Sequence, residues 1–166
     1  MNKSIIELKK LSKHYKNFVA VDELDLVVTE GDVFGFLGPN GAGKSTTIRM
    51  LLSLIQPTSG EIFIFGKNLR TDRSEILREI GCIIEKPDFY LYLSAIKNLE
   101  IFARMNGISP SRSKLEEMLE TVGLKGREND VVKTYSHGMK QRLGIAQTLI
   151  HNPSLIVLDE PTTGLD

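Results

Sequence analysis

The sequence is short of several features that mark whole classes of protein. It contains one cysteine and no tryptophan, and its 21 basic side chains are matched by 21 acidic ones. A single cysteine excludes an internal disulfide framework, and a net charge of zero gives no reason to expect a nucleic-acid partner. No apolar run approaches the length that crosses a bilayer, and residues 1–7 lack the apolar core of a secretory signal. We therefore expect a cytoplasmic protein that binds no nucleic acid.

The lone cysteine, Cys82, lies in an apolar run at residues 80–84. Free cysteines in such runs usually pack as small apolar side chains. We expect Cys82 to be buried rather than reactive.

The length of 166 residues and the apolar content of 41% suffice for one sizeable core and suggest a single domain, with room for a subdomain.

One glycine-rich segment is the most informative feature that is present. We call residues 38–46 the phosphate loop, and they are Gly38, Pro39, Asn40, Gly41, Ala42, Gly43, Lys44, Ser45 and Thr46. The glycines allow a tight turn whose amide N–H groups can approach phosphate oxygens. Lys44 adds a positive charge for the β- and γ-phosphates, and Ser45 offers a hydroxyl group to Mg²⁺. The spacing predicts binding of a nucleoside triphosphate.

The neighbours of the phosphate loop favour this interpretation over a chance glycine-rich turn. Residues 33–37 are an apolar run that predicts a buried strand entering the loop, and residues 46–52 predict a helix leaving it. Strand-like patterns at residues 5–11 and 24–28 predict antiparallel strands before the loop, and residues 61–65 predict another strand after it. The pattern so far is that of a mixed α/β protein.

The second half of the chain changes to helical periodicity. Ser94 is placed to cap a first helix and Gly107 to end it, and a second helix closes at Gly123. A third helix is predicted from Ser136 to about residue 150. Residues 155–158 form a short, wholly apolar run that is typical of a central parallel strand.

Two acidic residues, Asp159 and Glu160, follow that last strand. A carboxylate at the carboxyl end of a parallel strand faces the crevice where ligands bind, so we expect Asp159 to hold Mg²⁺ through water. Glu160 is the candidate general base for an attacking water molecule. The alternative is that both acids simply begin a solvated loop.

At this point the chain resembles the ATP-binding cassette (ABC) ATPases that power membrane transporters. The resemblance rests on motifs in the family's order: Tyr15, the phosphate loop, a signature segment at residues 135–139, Asp159 with Glu160, and residues 164–166. The signature segment and residues 84–87 look most like those of exporters of the bacitracin and lantibiotic-immunity kind.

The resemblance implies roles for further residues. Tyr15 would stack on the adenine ring, the alternative being an ordinary tyrosine at a strand end. Ser136 and Gly138 would contact the γ-phosphate of an ATP held by a second nucleotide-binding subunit, so that the active form is a homodimer or heterodimer. Glu85 stands where most members have a glutamine that helps to ligate Mg²⁺, and the alternative is that Glu85 merely ends a strand.

The chain also departs from the family pattern. His137 and Met139 replace a glycine and a glutamine of the signature segment, although the serine and the second glycine remain. The family normally continues beyond this point with a strand, a histidine that touches the γ-phosphate and further helices, so we expect a fragment whose C-terminal part is missing. None of His14, His137 and His151 matches that histidine.

For the fold, the resemblance implies a P-loop NTPase core with a mostly parallel sheet, flanking helices, an N-terminal antiparallel β-subdomain and an inserted helical subdomain. Residues 1–166 would form one incomplete nucleotide-binding domain, with the core and β-subdomain at 1–86 and 151–166. The helical subdomain, with the signature segment, would span residues 87–150.

For the function, the resemblance implies an ATP-hydrolysing subunit that requires Mg²⁺ and powers export of a drug or antimicrobial peptide. Residues 87–93 would receive a cytoplasmic helix of an integral membrane permease, which places the protein on the inner face of the cell membrane. The alternative for this stretch is a loop that pins the helical subdomain. The alternatives for the whole are a non-hydrolytic ATP-binding module and a soluble ABC protein without a transporter.

Overall fold

The computed structural model describes residues 3–84 and 87–159. The chain forms two compact units, Met1–Arg78 and Glu79–Asp166. Within the described residues no helix combines the length and the apolar character that a membrane span requires.

An antiparallel sheet forms the frame of the first unit. Its elements, in chain order, are β1 (Ser4–Tyr15), β2 (Phe18–Thr29), α1 (Lys44–Leu51), β3 (Ser59–Ile64), β4 (Lys67–Asn68) and α2 (Arg73–Arg78). The strands lie in the order β2-β1-β3-β4, and each neighbouring pair is antiparallel. Alternating apolar side chains of β1 and β3 turn inward, and the fully buried ones of this unit are Leu8, Leu11, Met50, Ile64 and Ile76.

The second unit is mainly helical. Its elements are β5 (Ile80–Ile83), α3 (Ala95–Met105), α4 (Arg112–Thr121), a 3-10 turn (Val132–Thr134), α5 (His137–Leu149) and β6 (Leu155–Leu158). One face of each long helix contributes to an apolar cluster of Ala95, Ile96, Leu99, Ala103, Leu115, Leu119, Leu124, Val132, Tyr135, Leu143, Ala146 and Ile150.

Parallel pairing of β5 and β6 confirms the prediction that residues 155–158 form a parallel strand. Helix α5 approaches β5 so closely that a Cβ atom on Gly81 would lie 2.4 Å from the Thr148 carbonyl oxygen. A Cβ atom on Gly144 would likewise lie 3.3 Å from the Ile83 side chain. The glycines therefore set the spacing between α5 and the strand pair that leads to Asp159.

The helix boundaries follow the predicted capping signals. Ser94 caps α3 by accepting a hydrogen bond from the Lys97 N–H group, and Gly107, with φ of 74°, follows the end of the helix. Gly123 has the same φ of 74° just beyond α4. The predicted mixed α/β class and the predicted antiparallel N-terminal strands are confirmed as well.

The predicted strand at residues 33–37 is wrong. In the structure this segment has no strand pairing, and Leu37 is 91% exposed. A strand persists only where a neighbour accepts its main-chain hydrogen bonds, and none of the described strands pairs with this segment. The apolar run indicates burial but carries no information about which strand would cover it.

The predicted burial of Cys82 is also wrong, since the residue is exposed. Side chains alternate between the two faces of a strand, and α5 covers the face of β5 that carries Gly81 and Ile83. Cys82 points to the other face. Atoms near the sulfur still exclude some water, which raises the pKa of the Cys82 thiol.

Candidate functional site

The phosphate loop begins as a tight turn at residues 38–43 and continues into the first turn of α1. Gly41 and Gly43 both have φ of 83°, a left-handed conformation that side chains disfavour. Between them, the Ala42 N–H group donates to the Pro39 carbonyl oxygen at 3.2 Å. Gly43 is the N-cap of α1 and provides no side-chain cap.

The loop is seated directly on strand β2. A Cβ atom on Gly43 would lie 2.4 Å from the Ala20 carbonyl oxygen and 3.0 Å from Cγ2 of Val21. Such distances leave no room for any side chain, so only glycine fits at position 43. The start of α1 is thereby fixed against the hairpin that carries Tyr15.

Lys44 folds back over the loop. Its Nζ atom donates to the carbonyl oxygens of Gly38 at 2.7 Å and of Pro39 at 2.9 Å. The first N–H groups of a helix have no acceptor within the helix, and they add partial positive charge at this end. Ser45 and Thr46 lie in the same first turn of α1. The loop thus combines an ammonium group with a helix N-terminus, a fitting arrangement for a polyphosphate.

Thr47 contacts the phosphate loop, although the sequence motif assigns it no role. Its side chain is buried, and both its N–H group (2.8 Å) and its Oγ1 atom (2.9 Å) donate to the Gly43 carbonyl oxygen. This pair of bonds fixes the carbonyl group of Gly43, just before α1 begins. The only sign of this contact in the sequence is that a second threonine, Thr47, follows Thr46.

Tyr15 ends β1 next to a two-residue hairpin turn. Its ring is 44% exposed and stacks on Phe18, the facing residue of β2, with ring centroids 5.1 Å apart and planes 21° from parallel. The Lys13 ammonium group lies 5.2 Å from the Tyr15 ring centroid. An exposed, already stacked ring is well suited to receive a flat base.

Asp159 directly follows β6 and is buried. Its N–H group donates to the Ile83 carbonyl oxygen at 2.9 Å, which continues the parallel pairing by one residue. Within the described residues no group of three or more His, Cys, Asp or Glu side chains converges as a metal site. Glu85, Glu160 and residues 164–166 lie outside the described residues.

The signature segment lies at the start of α5. Ser136 is the N-cap, and its Oγ atom accepts the Met139 N–H group at 3.2 Å. His137 and Gly138 form the first turn of the helix. Because the Ser136 oxygen accepts the capping bond, the hydroxyl proton is available for donation to an anion.

Tyr135 anchors this helix start. It is 4% exposed, and its hydroxyl group donates to the Arg127 carbonyl oxygen at 2.7 Å. Burial raises the pKa of Tyr135 to about 12, and the negative charges of Asp130 and Glu128 add to the shift. The phenol therefore stays a hydrogen-bond donor throughout the physiological pH range.

Residues 87–93 divide into two parts. Phe89 packs against the apolar cluster of the second unit and meets Phe102 edge to face, with ring centroids 6.2 Å apart. The side chains that follow it are exposed, with Tyr92 at 79%, and they are Tyr90, Leu91, Tyr92 and Leu93. We call residues 90–93 the aromatic turn.

Comparison with known proteins places these motifs in one family. The family model described as ABC transporter matches residues 21–163. The bacitracin transport ATP-binding protein BcrA of Bacillus licheniformis is 53% identical over 163 residues, covering 98% of this chain and 53% of that protein. The uncharacterized ABC transporter ATP-binding protein YhcH of Bacillus subtilis is 47% identical over 165 residues, covering 99% of this chain and 53% of that protein. The chain spans about half the length of these curated relatives.

Solved structures agree with the family model. A dimeric ATP-binding cassette in a post-hydrolysis state, bound to ADP and phosphate, has a TM-score of 0.83 at 30% identity, over 97% of this chain and 76% of that one. The ATP-binding subunit of an ABC transporter has a TM-score of 0.81 at 31% identity, over 96% of this chain and 68% of that one. With a family model over most of its length and relatives that match almost all of it, the chain belongs to the ABC transporter family.

Proposed function

We propose that the full-length protein is the ATP-binding and ATP-hydrolysing subunit of an ABC exporter. The observation that carries this proposal is the phosphate loop, in which Lys44 and the N-terminus of α1 converge on a turn that admits only glycine at position 43. Because a relative that is 53% identical is named for bacitracin transport, the proposed cargo is a drug or antimicrobial peptide.

In the proposed binding mode, each part of ATP meets a different element of the first unit. The adenine ring stacks on the exposed Tyr15 side chain. Main-chain N–H groups of the phosphate loop, from Gly38 to Thr46 but without Pro39, which has none, bind the phosphates. Lys44 leaves its loop carbonyls for the β- and γ-phosphate oxygens. Lys44 thereby replaces its hydrogen bonds to neutral carbonyl groups with hydrogen bonds to negatively charged oxygens. This replacement is favourable because it pairs opposite charges.

Hydrolysis needs a metal ion and an oriented water molecule. Ser45 and, through water, Asp159 are the proposed protein groups that hold Mg²⁺, with Glu85 as a further candidate. All three offer oxygen atoms, which this ion prefers. Mg²⁺ supplies charge neutralisation on the triphosphate oxygens. Glu160 accepts a proton from the attacking water, which adds to the γ-phosphorus as the bond to ADP breaks.

The active form is proposed to contain two nucleotide-binding subunits. Ser136 donates its hydroxyl proton, and Gly138 its N–H group, to the γ-phosphate of ATP that the other subunit holds. The relative solved with ADP and phosphate is itself dimeric, which supports this arrangement. ATP then joins two subunits, and its cleavage separates them.

The membrane partner is proposed to be an integral permease that docks on residues 87–93. Exposed apolar area on the aromatic turn supports this role, since such area is costly to leave in water. The protein would then lie on the inner face of the cell membrane, with the helical subdomain at residues 87–150 as the part that meets the permease.

Substitution of Glu160→Gln in the full-length protein tests the proposal. Loss of the general base should lower phosphate release by about a hundredfold or more, while ATP affinity stays within about twofold of wild type. Glu117→Gln, which alters an exposed carboxylate on α4, is the matched control and should leave both quantities unchanged. If the wild-type protein binds ATP without releasing phosphate, the non-hydrolytic alternative is correct instead.

A further inference from the structure

One asparagine is buried where an apolar side chain would be expected. Asn98 lies in the first turn of α3 and is 0% exposed. Its neighbours along the helix, Ile96 and Leu99, belong to the apolar cluster of the second unit. A buried amide group is costly unless every polar atom finds a partner, so the partners of Asn98 indicate why it is there.

Both polar atoms of Asn98 are bonded, and two of the three contacts go to one residue. Its Oδ1 atom accepts the Tyr90 N–H group at 2.8 Å, and its Nδ2 atom donates to the Tyr90 carbonyl oxygen at 3.1 Å. Nδ2 also donates to the Ser94 carbonyl oxygen at 3.0 Å, one helical turn earlier. The side chain thus pairs with the main chain of Tyr90 in the way a neighbouring strand would.

The Tyr90 carbonyl group also closes the aromatic turn. The Leu93 N–H group donates to the Tyr90 carbonyl oxygen at 3.0 Å. On the other side, the N–H groups of Val132 and Lys133 donate to the carbonyl oxygens of Leu93 (3.0 Å) and Leu91 (2.8 Å). The turn is therefore tied at both ends, by Asn98 at Tyr90 and by the 3-10 turn at Leu91 and Leu93.

We propose that Asn98 is a positioning residue for recognition of the membrane partner: it holds the aromatic turn in one conformation, so that Tyr92 and its neighbours are already ordered when a cytoplasmic helix of that partner docks. This inference rests on the proposed function, in which the partner docks on residues 87–93. A surface segment that is already ordered loses less conformational entropy on binding, and a satisfied buried network specifies one conformation.

Two substitutions separate this role from a contribution to core stability. Asn98→Leu keeps a similar volume but removes all three hydrogen bonds, including both that hold the Tyr90 main chain. Asn98→Ser retains a hydroxyl group for the Ser94 carbonyl oxygen but is too short to reach Tyr90. Asn106→Leu is the matched control, since Asn106 donates to the Phe102 carbonyl oxygen at the exposed end of the same helix.

The experiment uses full-length protein and a candidate permease embedded in nanodiscs, namely the product of the neighbouring reading frame if that product has membrane-spanning helices. Amide hydrogen exchange of residues 90–93 reports the conformation of the turn, and nanodisc capture reports docking. Asn98→Leu and Asn98→Ser should each speed exchange at Tyr90 and Leu93 by about tenfold and weaken capture by about tenfold. ATP affinity should stay within about twofold of wild type for all three variants. If Asn98 served only the stability of the core, its loss would not weaken nanodisc capture while ATP affinity stays unchanged.

Capture and exchange that match wild type in both Asn98 variants would overturn the inference and leave the proposed function intact. Faster exchange with undiminished capture would overturn it too, because the turn would then need no fixed conformation. If wild-type protein itself is not captured, the docking part of the proposed function fails, and the inference that rests on it fails with it.

Discussion

The α-carbon of Gly43 lies so close to the main chain of Ala20 that an added Cβ atom would be 2.4 Å from the Ala20 carbonyl oxygen. This contact seats the phosphate loop on β2 and fixes where α1 begins. The obstacle is main chain rather than a flexible side chain, so it cannot rotate out of the way.

Gly43→Ala should therefore destabilise the protein and weaken ATP binding together. Part of the cost is the left-handed φ, about 1–2 kcal/mol for a residue with a Cβ atom. The rest is displacement of the loop from β2, which moves the amide groups that we propose bind phosphate. Chemical denaturation and ATP titration measure the two effects.

Gly31→Ala is the control for that experiment. Gly31 has φ of 86°, but nothing lies within 4 Å of the position that a Cβ atom would take there. This variant should lose about 1–2 kcal/mol of unfolding free energy and keep its ATP affinity. Equal ATP affinities for the two variants would contradict the seating role of Gly43.

Ser136 and Ser111 allow a second matched comparison. Both serines are N-caps, of α5 and α4, and the Oγ atom of each accepts an N–H group at 3.2 Å. Replacing either with alanine should cost about 1 kcal/mol of unfolding free energy. Only Ser136→Ala should also lower the ATP hydrolysis rate of the full-length protein, by about a hundredfold, since only Ser136 is proposed to donate to a γ-phosphate. Similar rates for the two variants would remove Ser136 from the proposed site.

Tyr135 makes the free energy of unfolding depend on pH in the alkaline range. The pKa of Tyr135 is raised from 10.0 to about 12 in the folded protein, so the unfolded chain loses the phenolic proton first as pH rises. Above pH 10.0 the unfolded state binds fewer protons than the folded state, and the free energy of unfolding falls until pH reaches about 12. Tyr135→Phe should lack this component of the decline.

Urea denaturation at several pH values between about 9 and 11, which bracket the ordinary tyrosine pKa, measures that difference. At the lower end of this range the Phe variant should be less stable by about 1 kcal/mol, because the hydrogen bond to the Arg127 carbonyl oxygen is lost. The gap between the two proteins should narrow as pH rises. A gap that stays constant would show that the phenol titrates normally in the folded state.

Local signals predict much of the fold. Ser94 and Gly107 mark the two ends of α3 by capping chemistry that acts within a few residues, and the structure confirms both. The apolar run at residues 155–158 predicts a parallel strand, which is also confirmed. Such signals depend only on neighbours in the chain.

Features that depend on distant parts of the chain cannot be predicted in this way. The apolar run at residues 33–37 predicts a strand, but pairing depends on a partner that the run itself does not specify. Cys82 is exposed because helix α5 packs on the opposite face of strand β5, and the sequence does not show which face the helix covers. Likewise, the contact of Gly43 with Ala20 and the bonds of Asn98 to Tyr90 join residues whose proximity only the tertiary structure reveals.

The central claim is that Lys44 and the phosphate loop bind the phosphates of ATP, and calorimetric titration of ATP into wild-type, Lys44→Ala and Lys67→Ala protein tests it most directly. Lys67 pairs with Glu75 on the surface of the same unit, so its loss serves as the control for removal of one positive charge. We predict that Lys44→Ala weakens ATP binding by about a hundredfold while Lys67→Ala stays within about twofold of wild type. Undiminished affinity in Lys44→Ala would contradict the account.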